Sequence, residues 1–147
     1  MIPRSMRQFD LGQANRLVPY LSEAFGKVRG WAERAKHLTT ELEALGDEAE
    51  IGAPVDQPES PVGKLRLERD EVVEDIRQEV SRMAEMGIEV KSLEGLVDFR
   101  AMRDGRQVYL CWRFGEDAIH FWHELDTGFL GRRPIDRADA FAPSYLS

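Results

Sequence analysis

GLVDFRAMRDGRQVYLCWRFGEDAIHFWHEL, Gly95 to Leu125, is the stretch that decides the fold. It holds three runs rich in β-branched and aromatic residues, GLVDFRAM, QVYLCWRF and AIHFWHEL. Asp104-Gly105 separates the first two, a pair suited to a tight turn that needs positive φ, and Phe114-Gly115-Glu116-Asp117 turns the next corner. Three such runs joined by short turns predict an antiparallel meander. IEVKSLE, immediately upstream, offers a further short edge strand.

Successive side chains in a strand point to opposite faces. In QVYLCWRF this places Val108, Leu110 and Trp112 on one face, the natural core face, and Tyr109, Cys111 and Arg113 on the other. In GLVDFRAM it separates Val97, Phe99 and Ala101 from Leu96, Asp98 and Arg100. In AIHFWHEL, Ile119, Phe121 and His123 oppose Ala118, His120 and Trp122, so both faces are partly apolar and the strand is expected to be covered on two sides. Trp112, Phe121 and Trp122 are expected to be the buried aromatic platform under the rest of the chain.

Upstream of Ile88 the period changes. Phe9-Asp10-Leu11-Gly12-Gln13-Ala14 carries a capping box, with Asp10 as N-cap, Gln13 reaching back and Phe9 stapling onto Ala14. Pro19 ends or kinks this first turn and is placed to open a second helix. Leu17, Leu21, Ala24, Val28, Trp31, Ala35, Leu38, Leu42 and Leu45 then recur in steps of four and three, a heptad seam that predicts a long helix with a coiled-coil-like partner. After Gly46 comes the proline-rich, acidic GDEAEIGAPVDQPESP, which reads as a loop. Ser60-Pro61 opens a second long helix carrying Leu65, Val72, Val73, Ile76, Val80, Met83 and Met86, closed by Gly87. The predicted class is α+β: a long antiparallel helical hairpin packed on a C-terminal antiparallel meander of three or four strands. The chain reads as one domain, with the hairpin over 1–87 and its acidic loop at about 46–61, the meander over 88–136 and a tail over 137–147.

Composition bounds the function. With 147 residues and a single cysteine, Cys111, the chain can build its own core and cannot form an internal disulfide, which points to the cytoplasm. No apolar run approaches a membrane span. The net charge is −7, and the 41–75 segment alone holds 12 acidic and 3 basic residues, which leaves the rest at +2. That balance, without aromatics interleaved among the basic residues, argues against nucleic acid. Beyond Lys91 every basic side chain is arginine, Arg100, Arg103, Arg106, Arg113, Arg132, Arg133 and Arg137, a composition able to hold an anion locally.

Three kinds of chemistry compete in the second half. Gly128-Phe129-Leu130-Gly131-Arg132-Arg133 could form an anion-binding concavity, with backbone amides approaching at Gly128 and Gly131 and guanidiniums at Arg132 and Arg133. The alternative is a tight loop whose Arg132 pairs with Asp98 or Glu116. His120 and His123, three apart on a strand, face opposite ways and cannot share an ion. His123 with Glu116, Asp126 or Asp98 from other elements could ligate a divalent metal. Cys111 is a nucleophile only if a neighbour stabilises its thiolate, and mid-strand it is more commonly a packing residue. His37, off the seam, reads as exposed. The absence of a nucleophile elbow, P-loop or Rossmann glycine pattern lowers the prior for an enzyme.

The succession GLVDF, VYLCW, GE, FWHE and GFLGRR, with the N-terminal FDLGQANRLVP, resembles an uncharacterised prokaryotic family, domain of unknown function 2203. The family pattern falls on Gly95, Asp98, Phe99, Cys111, Trp112, Gly115, Glu116, Trp122, His123, Gly128, Gly131 and Arg132. The resemblance implies a cytosolic protein with no established activity, and favours His123 over His120 and Arg132 over Arg133. Arg100 stands where many relatives have proline. The resemblance leaves function open; the helical seam, longer than a small sheet can cover, gives the expectation of a homo-oligomeric binding or scaffolding protein, a homodimer through the helical hairpin, with Asp98, Glu116, His123 and Arg132 clustered at the sheet's end to hold an anion. The rival expectation is a metal-assisted or thiol-dependent enzyme using Asp98, Cys111, Glu116, His123 and Arg132.

Overall fold

The capping box and the Ser60-Pro61 start both form as local chemistry dictates. In the computed structural model, which describes residues 7–141, the Gln13 backbone N–H donates to Asp10 Oδ1 at 2.7 Å and the Asp10 N–H to Gln13 Oε1 at 2.9 Å. This opens the short helix α1, Leu11–Asn15. Pro19 lies in the first turn of α2, Val18–Ala44, where a missing N–H costs nothing, so the proline starts a helix and kinks none. Ser60 Oγ accepts from the Gly63 N–H at 2.9 Å and caps α3, Pro61–Glu85. Gly63 is required there, because a Cβ would lie 2.0 Å from the Gln57 carbonyl oxygen.

The protein is α+β, and its described residues form three α-helices and one antiparallel sheet of five strands in the order β1-β2-β3-β4-β5. The strands are β1 Ile88–Ser92, β2 Leu96–Arg103, β3 Arg106–Arg113, β4 Phe121–His123 and β5 Arg133–Pro134. The expectation of three or four strands is corrected, and so is the length of the third predicted run. Only Phe121–His123 is strand, because the Ile119 N–H is diverted to Asn15 Oδ1 at 2.8 Å. Arg133, at the end of the Gly128–Arg133 stretch, and Pro134 supply β5, which pairs Arg133 with Trp122 and Pro134 with Phe121. The expected tail is also structured up to its last described residue: Phe141 bridges Arg103 and its buried ring packs edge-on against Trp122 at 6.2 Å. Residues 142–147 lie outside the described residues.

Val97, Phe99, Ala101, Val108, Leu110, Trp112 and Trp122 form the sheet's inner face, buried against Phe9, Leu21, Phe25, Val28 and Met83. Phe9 meets Phe99 edge-on at 5.0 Å, and Phe25 meets Trp112 at 6.1 Å. Each such side chain contributes about 1.5–3 kcal/mol by leaving water. Phe121, expected beneath the helices with the two tryptophans, is instead half-buried on the outer face, as alternation from Trp122 requires.

α2 and α3 lie against one another, and their side-chain links run in opposite sequence sense: Tyr20 with Glu79 at 2.9 Å, Arg34 with Glu68 at 2.6 Å. The ends distant from the sheet carry a satellite core. Leu38 and Leu42 are buried there within the chain itself. The acidic loop is held back over α3 by buried Arg69, which donates to the carbonyls of Ala49 and Glu50, and by Arg66, which donates to those of Ala53 and Pro54. Among the described residues no helix is long and apolar enough to cross a membrane.

Candidate functional site

The face of the sheet turned away from the helices carries polar side chains from β1 to β4. Glu89 and Lys91 come from β1, Asp98 and Arg100 from β2, Tyr109, Cys111 and Arg113 from β3, and Phe121 and His123 from β4. Register brings them together: Glu89 stands across from Asp98, Asp98 from Cys111, Cys111 from Phe121, and Tyr109 from His123. On this face Asp98 is 4 % exposed, His123 1 % and Cys111 0 %.

His123 Nε2 lies 3.0 Å from Asp98 Oδ1, and its Nδ1 lies 2.7 Å from the Glu124 carbonyl oxygen. A carbonyl only accepts, so Nδ1 carries a hydrogen and one further proton is shared between Nε2 and the carboxylate. Burial opposes the imidazolium, but the hydrogen bonds to Asp98 and to the Glu124 carbonyl outweigh it, and the His123 pKa is raised. The Cys111 thiol is pushed up to about 12, chiefly by burial and then by the negative charge of Asp98. Asp98, Cys111 and His123 each present one donor atom, all within 4.8 Å of one another, the cluster among the described residues with metal-ligand composition.

Asp98, Glu116, His123 and Arg132 make two separate side-chain pairs. Beside Asp98–His123, Arg132 Nη2 meets Glu116 Oε1 at 2.7 Å and Oε2 at 2.9 Å, and Glu116 Oε1 also accepts the Arg113 backbone N–H at 2.7 Å. Arg132 Nη2 reaches the Cys111 carbonyl at 3.4 Å, which links the pairs through β3. The Arg132 guanidinium lies 4.1 Å from the Phe121 ring centroid and 4.8 Å from that of Phe129.

The four residues proposed for an anion concavity do not converge on one. Arg132 is engaged by Glu116 on the outer face, whereas Arg133 stacks 5.1 Å from Trp122, a ring of the inner core. Gly131 serves packing, since a Cβ would meet the Thr127 side chain at 2.3 Å. Gly128 supplies a φ of 63° at the start of the short 3-10 turn Phe129–Gly131. The proposed ligand set His123, Glu116 and Asp126 is likewise not assembled: Glu116 answers to Arg132, and Asp126 is exposed outside the cluster. His120 is exposed and paired with Asp117 at 2.8 Å, and His37 with Glu41 at 3.0 Å.

Four contributors, Glu89 and its three partners, were missed from sequence. Tyr109 OH donates to Glu89 Oε1 at 3.0 Å, Arg100 Nε lies 2.9 Å from Glu89 Oε2, and Lys91 Nζ lies 3.2 Å from Glu89 Oε1. Alternation along IEVKS, which sets Glu89 and Lys91 on one side, was the signal that could have placed them there.

The fold and site define an α+β protein whose sheet buries its apolar face under helices and an ionisable Asp–Cys–His cluster on the other. The chain belongs to the family of uncharacterized conserved proteins DUF2203, whose sequence profile matches residues 7–135. Comparison with curated proteins and with solved structures returned no match.

Proposed function

We propose that this chain is a cytoplasmic binding protein whose ligand site is the outer face of the sheet, centred on Asp98, Cys111 and His123 and flanked by the Glu116–Arg132 pair. The observation that carries the reading is the burial of Asp98 and His123 as a hydrogen-bonded pair. Desolvating two ionisable groups costs several kcal/mol, and apolar residues of like volume serve stability as well or better, so a role in binding accounts for what stability alone does not. A thiol nucleophile is disfavoured: a buried thiol with a pKa of about 12 supplies almost no thiolate at neutral pH. The test is to purify the full chain without an affinity tag, assay bound metals, and compare melting temperatures of wild type and His123→Ala with zinc and with inorganic phosphate. A wild-type rise that His123→Ala abolishes supports the reading. No copurifying metal and no shift with either ligand would leave the cluster purely structural.

Homodimerisation through α2 and α3 is a second reading, favoured by the half-buried Trp31, Val72, Val73 and Ile76 and by Leu67, 46 % exposed. Burial of Leu38 and Leu42 within the chain itself reduces the apolar area that a partner is needed to cover. Light scattering at tens of micromolar decides it, and a monomer there would refute it.

A further inference from the structure

We infer that Asp98, Cys111 and His123 bind one thiophilic divalent cation, zinc by their chemistry, an inference that rests on the binding reading above. The donor set is mixed and soft enough to be selective. Thiolate with imidazole suits zinc, whereas magnesium and calcium require oxygen ligands. The donors already lie within 4.8 Å of one another. Tetrahedral donors on bonds of about 2.0–2.3 Å stand roughly 3.3–3.6 Å apart, so coordination draws the more distant donors inward and slightly widens the 3.0 Å contact between Asp98 and His123.

Two further observations point to an ion. The first is the orientation of His123. Its Nδ1–H is committed to the Glu124 carbonyl at 2.7 Å, which leaves Nε2 facing the cluster, where it offers a lone pair to an ion once the proton it shares with Asp98 departs. A backbone carbonyl holding the far nitrogen is the usual support of a metal-ligating histidine. The second is the isolation of the three donors from their neighbours. Glu89, directly across from Asp98, is engaged by Tyr109, Lys91 and Arg100, and Glu116 by Arg132, so the nearby carboxylates are already answered. Three protein donors leave the fourth position to Asp98 Oδ2 or to water.

The charges balance. Without metal, the cluster holds one proton on the thiol and one shared between Asp98 and His123 Nε2, for a net charge of zero. With the ion, both protons leave to solvent, and a dication, a thiolate, a carboxylate and a neutral imidazole again sum to zero. A dication thus replaces two protons in a buried site without leaving an uncompensated charge, the condition that makes burying it tolerable.

The experiment titrates the metal-free full chain with cobalt(II) as a spectroscopic stand-in, then displaces it with zinc. The expected result is one cobalt per chain, a thiolate-to-cobalt charge-transfer band, release of about two protons per ion, and loss of the band on zinc addition. Cys111→Ser should abolish the band, and Asp98→Asn and His123→Ala should each weaken cobalt binding by at least about a hundredfold, more than loss of an outer-shell partner usually causes. Circular dichroism identifies variants that fold, and the sulfur band in wild type tests the proposal even if none does. Absence of binding, or binding without a sulfur band, overturns it. If phosphate stabilises wild type through His123 while cobalt gives no band, the binding face stands and the metal falls; if neither ligand acts, both fall.

Discussion

Removing Asp98 should destabilise the metal-free protein far more than a surface carboxylate would. The Asp98–His123 pair spans 3.0 Å, with side-chain exposures of 6 % and 2 % respectively. Deleting one partner of a buried pair leaves the other without compensation, at a cost of about 3–5 kcal/mol. For a domain of this size that lowers the melting temperature by roughly 6–20 °C. His123→Ala should cost a similar amount. The double variant separates pairing from burial: once Asp98 is gone, removing His123 deletes an orphan, so the double variant should lose less than the sum of the singles by about 1.5–3 kcal/mol. Urea denaturation in the presence of a chelator, with all four proteins at one pH, measures the cycle. Additivity within about 0.5 kcal/mol would mean that the two groups are not energetically coupled, and the account of the site as a shared-proton pair would be wrong.

Three more outcomes follow from other parts of the molecule. Cys111 in the folded, metal-free protein should alkylate at pH 8 about three orders of magnitude more slowly than an exposed cysteine, since its pKa is pushed up to about 12; ready labelling under native conditions would refute the burial argument. Tyr20 is raised to about 12 by burial and by its bond to Glu79. A folded value above the unfolded one of about 10 contributes stability that is present in full below pH 10 and is lost as pH rises toward 12, so wild type should lose about 1 kcal/mol more than Tyr20→Phe across that window, measured by denaturant melts at each pH. Gly95→Ala should destabilise by about 2 kcal/mol or more, because φ is +110° and the new Cβ would lie 2.5 Å from Phe114 Cβ; Gly46→Ala, with open space around it, should cost less in the same melts.

Local chemistry was legible in the residues. Asp10 with Gln13, and Ser60 with Pro61, start helices because the atoms that satisfy the free N–H groups lie within three residues of them. The heptad seam and the switch to period two at Ile88 separated helix from sheet, and alternation placed Asp98 and Cys111 away from the core face, because a strand's faces follow from backbone geometry alone. The tertiary structure decided the rest. β5 is two residues long and exists only because Phe121 and Trp122 offer it an edge. The acidic loop reads as a solvated linker until Arg66 and Arg69, one to two dozen residues away, take its carbonyls. Glu116 and His123 appeared equally eligible for one cluster, yet Glu116 went to Arg132 and His123 to Asp98 and Cys111. That choice depends on the register of β2, β3 and β4, fixed by turns and by packing against the helices, and a shift of one residue would have turned Asp98, Cys111 or His123 to the opposite face.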